Sequence, residues 1–191
     1  MVFIGVYAAF YLNGFQLRQE QRQRQRQLII YLEKEAATRA KVDHETARML
    51  EQKRAQLVAR IDEGAMPGLE RLNWNRLCDI SDFNSLLQTG SLDVLNLRTI
   101  ARMRDVDALS RTGYAVMTNY QGLTNELIVL HAGESRDYFY DPGTKQLRPQ
   151  FTVYLEALQA GTQFVQQLSE ADDRLLVELT NERERFTQDN D

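Results

Sequence analysis

The stretch QLRQEQRQRQRQLIIYLEKEAATRAKVDHETARMLEQKRAQLVARIDE, residues 16–63, contains neither proline nor glycine. Strong helix formers dominate it, so it predicts one long helix. Its first part, residues 16–27, has little apolar face, which predicts a polar Gln/Arg stalk in water. Its second part carries a thin apolar face at helical spacing, which predicts packing against other helices along Leu32, Ala36, Ala40, Ala47, Leu50, Leu57 and Ile61.

An uncharged run, residues 2–15, precedes the stalk. As a helix it would extend about 21 Å, which is shorter than a hydrocarbon core of roughly 30 Å. We therefore interpret residues 1–15 as a transmembrane helix that is incomplete as written: either its natural start lies upstream, or the segment tilts little and thins the surrounding bilayer. The aromatic and basic residues around its end are typical of a bilayer surface. They predict a membrane interface formed by Tyr7, Tyr11, Arg18, Arg22, Arg24 and Arg26.

Two alternatives explain the same run. An apolar stretch of 10 to 14 residues is also the ordinary length of a core helix in a soluble bundle. A secretory signal peptide is disfavoured, because no basic segment precedes the run and the helical pattern continues where a cleavage site should lie. The membrane orientation stays open, because positive charge after the span favours a cytoplasmic body, whereas a missing basic segment before it would reverse the count.

Charge is distributed unevenly along the chain. Residues 1–27 hold four arginines against one glutamate, a net charge of +3, and residues 28–191 hold 19 basic against 26 acidic residues, a net charge of −7. Nucleic-acid binding depends on clustered cations that neutralise phosphates, so an acidic body predicts no nucleic-acid partner. The single cysteine, Cys78, excludes an internal disulfide and a multi-cysteine zinc site.

Two further long helices follow the first. An alternating three-and-four spacing predicts a packed seam along Val106, Leu109, Gly113, Val116, Tyr120, Leu123, Leu127 and Leu130. The same spacing, with a broader apolar face, returns along Phe151, Leu155, Leu158, Thr162, Val165, Ser169, Asp172, Leu176, Leu179, Arg183 and Phe186. The fold prediction is therefore all-α: a long N-terminal membrane and stalk helix that continues into an antiparallel helical bundle over residues 28–186. Residues 187–191 form a frayed tail.

The connections between the long helices predict short capping helices. GAMPG, residues 64–68, ends the first long helix, and Ser81 and Gly90 bound a short one. In this arrangement residues 64–96 cap the end far from the bilayer, and the loop at residues 133–147 returns toward it. Trp74 would plug the end of the bundle or, alternatively, contact a partner.

The segment FNSLLQTGSLDVLNLRTIARMRD, residues 83–105, together with the apolar N-terminal helix, resembles an uncharacterised bacterial family, a domain of unknown function. The positions that match the family pattern are Phe83, Leu87, Gly90, Leu92, Leu95, Asn96, Leu97 and Arg98. The resemblance implies one helix in the bacterial inner membrane and an all-helical, extracytoplasmic domain in the periplasm. It implies no activity. This chain departs from the family by lacking a basic segment upstream of the span.

Residues that could perform chemistry are sparse. His44 and His131 lack ligand partners at the spacing of a helical metal site, and Cys78 lacks an activating neighbour. Glycine-rich phosphate loops and nucleophile turns are absent from the sequence. We therefore predict no catalytic, cofactor-binding or metal site, and no enzyme. A loop with three aromatics beside a tight turn, Tyr138, Phe139 and Tyr140, predicts a contact surface or a cover for the end of the bundle.

These features predict a single-span membrane protein that acts as an interaction, scaffold or signal-relay module. Its predicted partners are the lipid bilayer and either a second copy of the chain or another membrane protein. One alternative is a bundle that senses a small molecule, in a pocket lined by Tyr120 and Phe164. Another alternative is a soluble coiled-coil subunit that buries residues 2–15 against a partner chain.

Overall fold

A computed structural model of the chain describes the backbone of residues 2–72 and 95–188, and the side chains of residues 13–72 and 95–186. Within these ranges the fold is all-α, as predicted. The four α-helices are α1 (Val2–Asp62), α2 (Leu97–Thr124), α3 (Arg136–Phe139) and α4 (Val153–Gln188). A π-helical turn, Asn125–Val129, extends α2, and a 3-10 turn, Pro149–Phe151, precedes α4.

The three long helices form a bundle in which α4 runs antiparallel to both α1 and α2. Along α1 and α4, Glu33 lies 2.9 Å from Arg183, and Arg39 lies 3.6 Å from Asp172. Thr99 at the start of α2 donates a hydrogen bond to Glu182 near the end of α4. The predicted antiparallel packing of the second and third long helices is therefore confirmed, and α1 and α2 lie parallel to each other.

The buried face of α1 follows the sequence closely. All seven apolar positions predicted from the spacing of residues 32–61 are buried, and Ile29 extends the face by one turn. The core has two clusters, one around Ile29, Leu32 and Leu175 and the other around Leu57, Tyr154 and Phe151. Phe164 packs against both clusters.

The predicted seam of α2 is rotated. Val116, Leu123 and Leu130 are exposed. Val106 and Gly113 of the predicted seam are buried, and α2 also buries Thr99, Met103, Ser110, Met117 and Thr124. Hydrophobicity alone misplaces this face because three of its members are hydroxyl residues. Their hydroxyls meet their hydrogen-bonding needs locally or across the interface, so they tolerate burial.

On α4 the broader face that the sequence predicts is confirmed. Besides Phe151, Leu158, Val165 and Leu179, a neighbouring line of Tyr154, Leu168 and Leu175 is buried. Two lines are needed because α4 contacts α1 on one side and α2 on the other.

The placement of the two connecting loops is wrong. The Tyr140 hydroxyl donates a 2.7 Å hydrogen bond to the carbonyl of Pro67, so the loop after α2 lies at the same end of the bundle as the segment after α1. Leu72 and Leu95 belong to different core clusters at opposite ends of the bundle. Leu95 therefore lies at the other end from the predicted cap of residues 64–96, while residues 73–94 of that predicted cap lie outside the described residues.

The predicted inner-membrane anchor is also wrong. Within the described ranges, the structure contains no helix with an apolar stretch long enough to cross a bilayer. The physical reason is the early return of polarity, because Asn13, Gln16 and Arg18 interrupt the run before a spanning length is reached. Trp74, Cys78, Ser81, Gly90 and residues 189–191 lie outside the described residues, while α4 continues through Gln188.

Candidate functional site

The most distinctive surface is the part of α1 that precedes the bundle. Because α1 and α4 run antiparallel and Glu33 pairs with Arg183, Gln188 lies opposite about Leu28. Residues before Leu28 therefore project beyond the end of α4. In this projection, residues 13–27 are exposed except for half-buried Gly14 and Gln25.

The projection carries both charge and apolar surface. Arg18, Arg22, Arg24 and Arg26 are all exposed, as a polar stalk requires, and Arg18 donates a 3.0 Å hydrogen bond to the carbonyl of Gly14. Phe15 and Leu17 are 49% and 58% exposed. Tyr7 and Tyr11 lie in α1, and their side chains fall outside the described residues.

Of the three aromatics in the predicted contact loop, two are buried. Phe139 and Tyr140 are 5% and 0% exposed, and Tyr138 is half-buried. The ring centroids of Phe139 and Phe151 are 5.1 Å apart, and Tyr138 stacks on His131 at 4.8 Å. Phe139 and Tyr140 thus cover the end of the bundle, and only Tyr138 of the three is placed to meet another molecule.

The turn after Tyr140 is fixed by its own hydrogen bonds. The Asp141 carboxylate accepts the backbone N–H groups of Gly143 and Thr144, each at 2.8 Å. These N–H groups, that of Thr144 above all, lower the pKa of Asp141. Burial raises the pKa of Tyr140 to about 12, so its hydroxyl remains a donor to Pro67. The loop therefore holds the segment after α1 against the bundle.

A layer of charged side chains lies at the centre of the bundle. Arg39 and Asp43 come from α1, Asp172 comes from α4, and Ser110 of α2 lies 3.4 Å from the Arg39 guanidinium. The Asp172 side chain is fully buried, and Asp43 is 6% exposed. Burial is the main cause of a pKa of about 7 for Asp172; Arg39 opposes the shift, and the neighbouring Asp43 carboxylate adds to it.

Sequence reasoning missed this layer. The spacing pattern includes Asp172 as a polar position in a mostly apolar seam, and it assigns no role to Asp43. The available signal was that Asp43 lies at helical spacing between Ala40 and Ala47, on the same predicted face. Acidic residues on the buried faces of two facing helices indicate a shared polar site.

A second buried carboxylate has a structural role. Glu182 accepts the backbone N–H of Asn96 at 2.8 Å and the hydroxyl of Thr99. Asn96 in turn caps α2 by accepting the N–H of Arg98 at 2.9 Å. Glu182 therefore fixes the start of α2 to the end of α4, and its hydrogen bonds leave it little capacity for a ligand.

A cleft of about 180 Å³ lies between α1, the segment after it, and the start of α4. Lys53, Arg60, Glu70 and Tyr154 contribute its polar groups. Lys53 is already paired with Glu70 at 2.8 Å, and both side chains are in contact with solvent. Of the two residues predicted to line a sensing pocket, Phe164 places its ring over Gly113 of α2.

Each of the two histidines makes a contact within the bundle that gives it a structural role. His44 Nε2 lies 2.9 Å from Asp173, and His131 packs on Tyr138. In the described part of the chain, no group of three His, Cys, Asp or Glu side chains is arranged to hold a metal ion.

Comparison with models of known families, with curated proteins and with solved structures finds no match to this chain.

Proposed function

We propose that the protein is a helical interaction module, in which the bundle is the base and the projecting part of α1 is the binding element. One observation carries the proposal: α1 continues unbroken from the bundle core past the end of α4, with Phe15 and Leu17 exposed. A scaffold or signal-relay role follows from the same geometry, because a continuous helix connects the bound partner rigidly to the bundle.

The physical case begins with the isolation of this helical segment. Helices in water depend mainly on tertiary packing for their stability, and isolated short helices are marginal. Residues 13–27 are exposed except for half-buried Gly14 and Gln25, and the uncharged residues 2–12 precede them. Burying an apolar side chain such as Phe15 or Leu17 against a partner stabilises a complex by roughly 25 cal/mol per Å² of apolar area.

The chemistry of the projection also limits the class of partner. Apolar side chains at one end and arginines along the stalk suit a helix with an apolar face flanked by acidic residues. Such a partner is a helical protein, and a second copy of this acidic chain belongs to that class. This proposal retains the soluble-subunit alternative of the sequence interpretation.

The test is site-specific photo-crosslinking of the full chain in cells. A photoreactive residue at position 17 is expected to form crosslinks to one defined protein or to a second copy of this chain. Phe15→Asp should reduce those crosslinks, because it removes apolar surface from the same end of the projection and places a charge there. The matched control carries the probe at Val177, an apolar residue of α4 that is also 59% exposed. Equal and diffuse crosslinking from positions 17 and 177 would refute the proposal.

A further inference from the structure

The charged layer between α1 and α4 contains more negative than positive charge. Asp43 and Asp172 face a single cation, Arg39, and all three groups are largely shielded from water. From the adjoining surface of the interface, His44 of α1 and Asp173 of α4 also act on the pair, while α2 contributes the Ser110 hydroxyl that contacts Arg39. With both central carboxylates ionised, Asp43, Asp172 and Arg39 carry a net charge of −1.

The surroundings of Asp172 do little to stabilise its ionised carboxylate. The Arg39 Nε atom is 3.6 Å from its carboxylate, which is beyond hydrogen-bond length. Within the described residues, neither Asp172 oxygen has a hydrogen-bond partner. A fully buried charge without hydrogen bonds is strongly disfavoured unless it is neutralised.

One proton on the pair of carboxyl groups removes this unfavourable interaction. Two facing carboxylates are both acceptors when ionised, so neither offers the other a hydrogen. When one is protonated, its O–H donates to the other, and Arg39 then faces a single negative charge. The pair therefore binds α1 to α4 in its protonated state and repels in its doubly ionised state.

We propose that Asp43 and Asp172 share one proton and act as an acid-closed clasp between α1 and α4. At acidic pH the shared proton seals the middle of the bundle, and the seal weakens as the pH approaches neutrality. At alkaline pH the proton leaves to water, and the two carboxylates weaken the contact of α1 with α4. This regulation is independent of the proposed binding by the projection, because it lies within the bundle.

The electrostatics of the two groups agree with the geometry. Burial raises the pKa of Asp43, and burial is likewise the largest cause of the raised pKa of Asp172, which reaches about 7. Since the folded-state pKa exceeds the unfolded value of 3.8, the folded state holds the proton more tightly. The clasp's contribution to stability is then complete below the unfolded pKa, and it is lost as the pH rises through about 7.

The first experiment measures urea unfolding of the full chain from pH 5 to pH 8. For the wild-type chain the unfolding equilibrium constant should rise by up to about tenfold per pH unit between pH 5 and 7. Asp172→Asn should flatten this dependence, because the amide has the same shape and no titrating proton. Glu70 and Asp141 interfere little in this window, since Lys53 lowers the pKa of Glu70 and backbone N–H groups lower that of Asp141.

Two controls separate the clasp from its surroundings. Asp105→Asn changes an exposed carboxylate of α2 and should retain the wild-type pH dependence. Histidine side chains gain charge in the same pH range, so the measurement is repeated in a His44→Gln background, where the dependence should persist. Loss of the dependence in His44→Gln, with retention in Asp172→Asn, would overturn the proposal in favour of the surface His44 and Asp173 pair.

A second measurement does not depend on a variant that must fold. The side-chain carboxyl ¹³C resonance of Asp172, followed by NMR in the wild-type chain, should titrate with a midpoint near 7. The resonance of Asp43 should respond to the same event. If both carboxyl groups titrate with midpoints near the unfolded value of 3.8, the two groups do not share a proton, and the clasp is refuted.

Discussion

Two parts of one helix, residues 13–27 and residues 28–62 of α1, share the same backbone conformation in different surroundings. In the first part every residue except Gly14 and Gln25 is exposed. In the second part a line of buried residues contacts α4 at every turn or two, from Ile29 to Ile61. The comparison shows that residues of high helix propensity can continue a helix without tertiary contacts. Most of the stability of the helix comes from packing against its neighbours.

The largest expected difference between the two parts is the response to the same substitution. Leu32 is fully buried and Leu17 is 58% exposed. Leu32→Ala should lower the free energy of unfolding by about 2–4 kcal/mol, because it removes apolar contacts and leaves a cavity. Leu17→Ala should change it by less than about 0.5 kcal/mol, because its side chain already contacts water. Chemical denaturation followed by circular dichroism measures both.

Equal losses in the two variants would break the comparison. They would mean that the projection unfolds together with the bundle and is packed in solution, for example against a second copy. Repeating the Leu17→Ala measurement at several protein concentrations distinguishes that case, since stability gained by association depends on concentration.

A smaller effect on stability is expected from adding one methyl group at a glycine, and two glycines can be compared: one in the bundle and one in the projection. At Gly113 of α2, a Cβ atom would lie 1.8 Å from Cε2 of Phe164, so the ring must move. Gly113→Ala should therefore destabilise the bundle by about 1–3 kcal/mol, despite the higher helix propensity of alanine. At Gly14 the nearest atom would be Nη2 of Arg18 at 3.9 Å, so Gly14→Ala should leave the free energy of unfolding of the bundle unchanged and increase helix content.

The double variant Gly113→Ala with Phe164→Leu tests the cause of that loss. A smaller side chain at position 164 should relieve the clash, so the double variant should be more stable than the sum of the two single losses predicts. Strict additivity would show that Gly113 is needed for a reason other than the close approach of Phe164.

The contrast within α1 also explains what the sequence could and could not predict. The apolar face of α1 was predictable, because Leu32, Leu50 and Ile61 recur at helical spacing between charged residues. The face of α2 was predictable only in part, at Val106 and Gly113, because its position depends on the fit of Phe164 over Gly113 and on buried hydroxyls such as that of Ser110. Hydrophobicity does not identify such small polar residues as buried.

Contacts between distant residues account for the other differences. The hydrogen bond from Tyr140 to Pro67 brings together two loops that the sequence interpretation put at opposite ends. The pairing of Asp43 with Asp172 likewise depends on the register of α1 against α4, which side-chain periodicity does not determine. The uncharged run before Gln16 was given too much weight, because the polar residues that follow it end the apolar stretch before it reaches a spanning length.

A proline in the projection is expected to have the smallest effect on the free energy of unfolding. It is also the most direct test of the comparison. Gln23 is exposed and lies more than one turn before Leu28, so Gln23→Pro breaks backbone hydrogen bonds that the bundle does not use. The helical circular dichroism signal should fall because α1 frays before the proline, while the free energy of unfolding stays within about 0.5 kcal/mol of wild type. The control Gln23→Ala should change neither quantity appreciably. A substantial loss of stability in Gln23→Pro alone would show that residues 13–27 contribute to the cooperative unit, and the division of α1 into a packed and a projecting part would then fail.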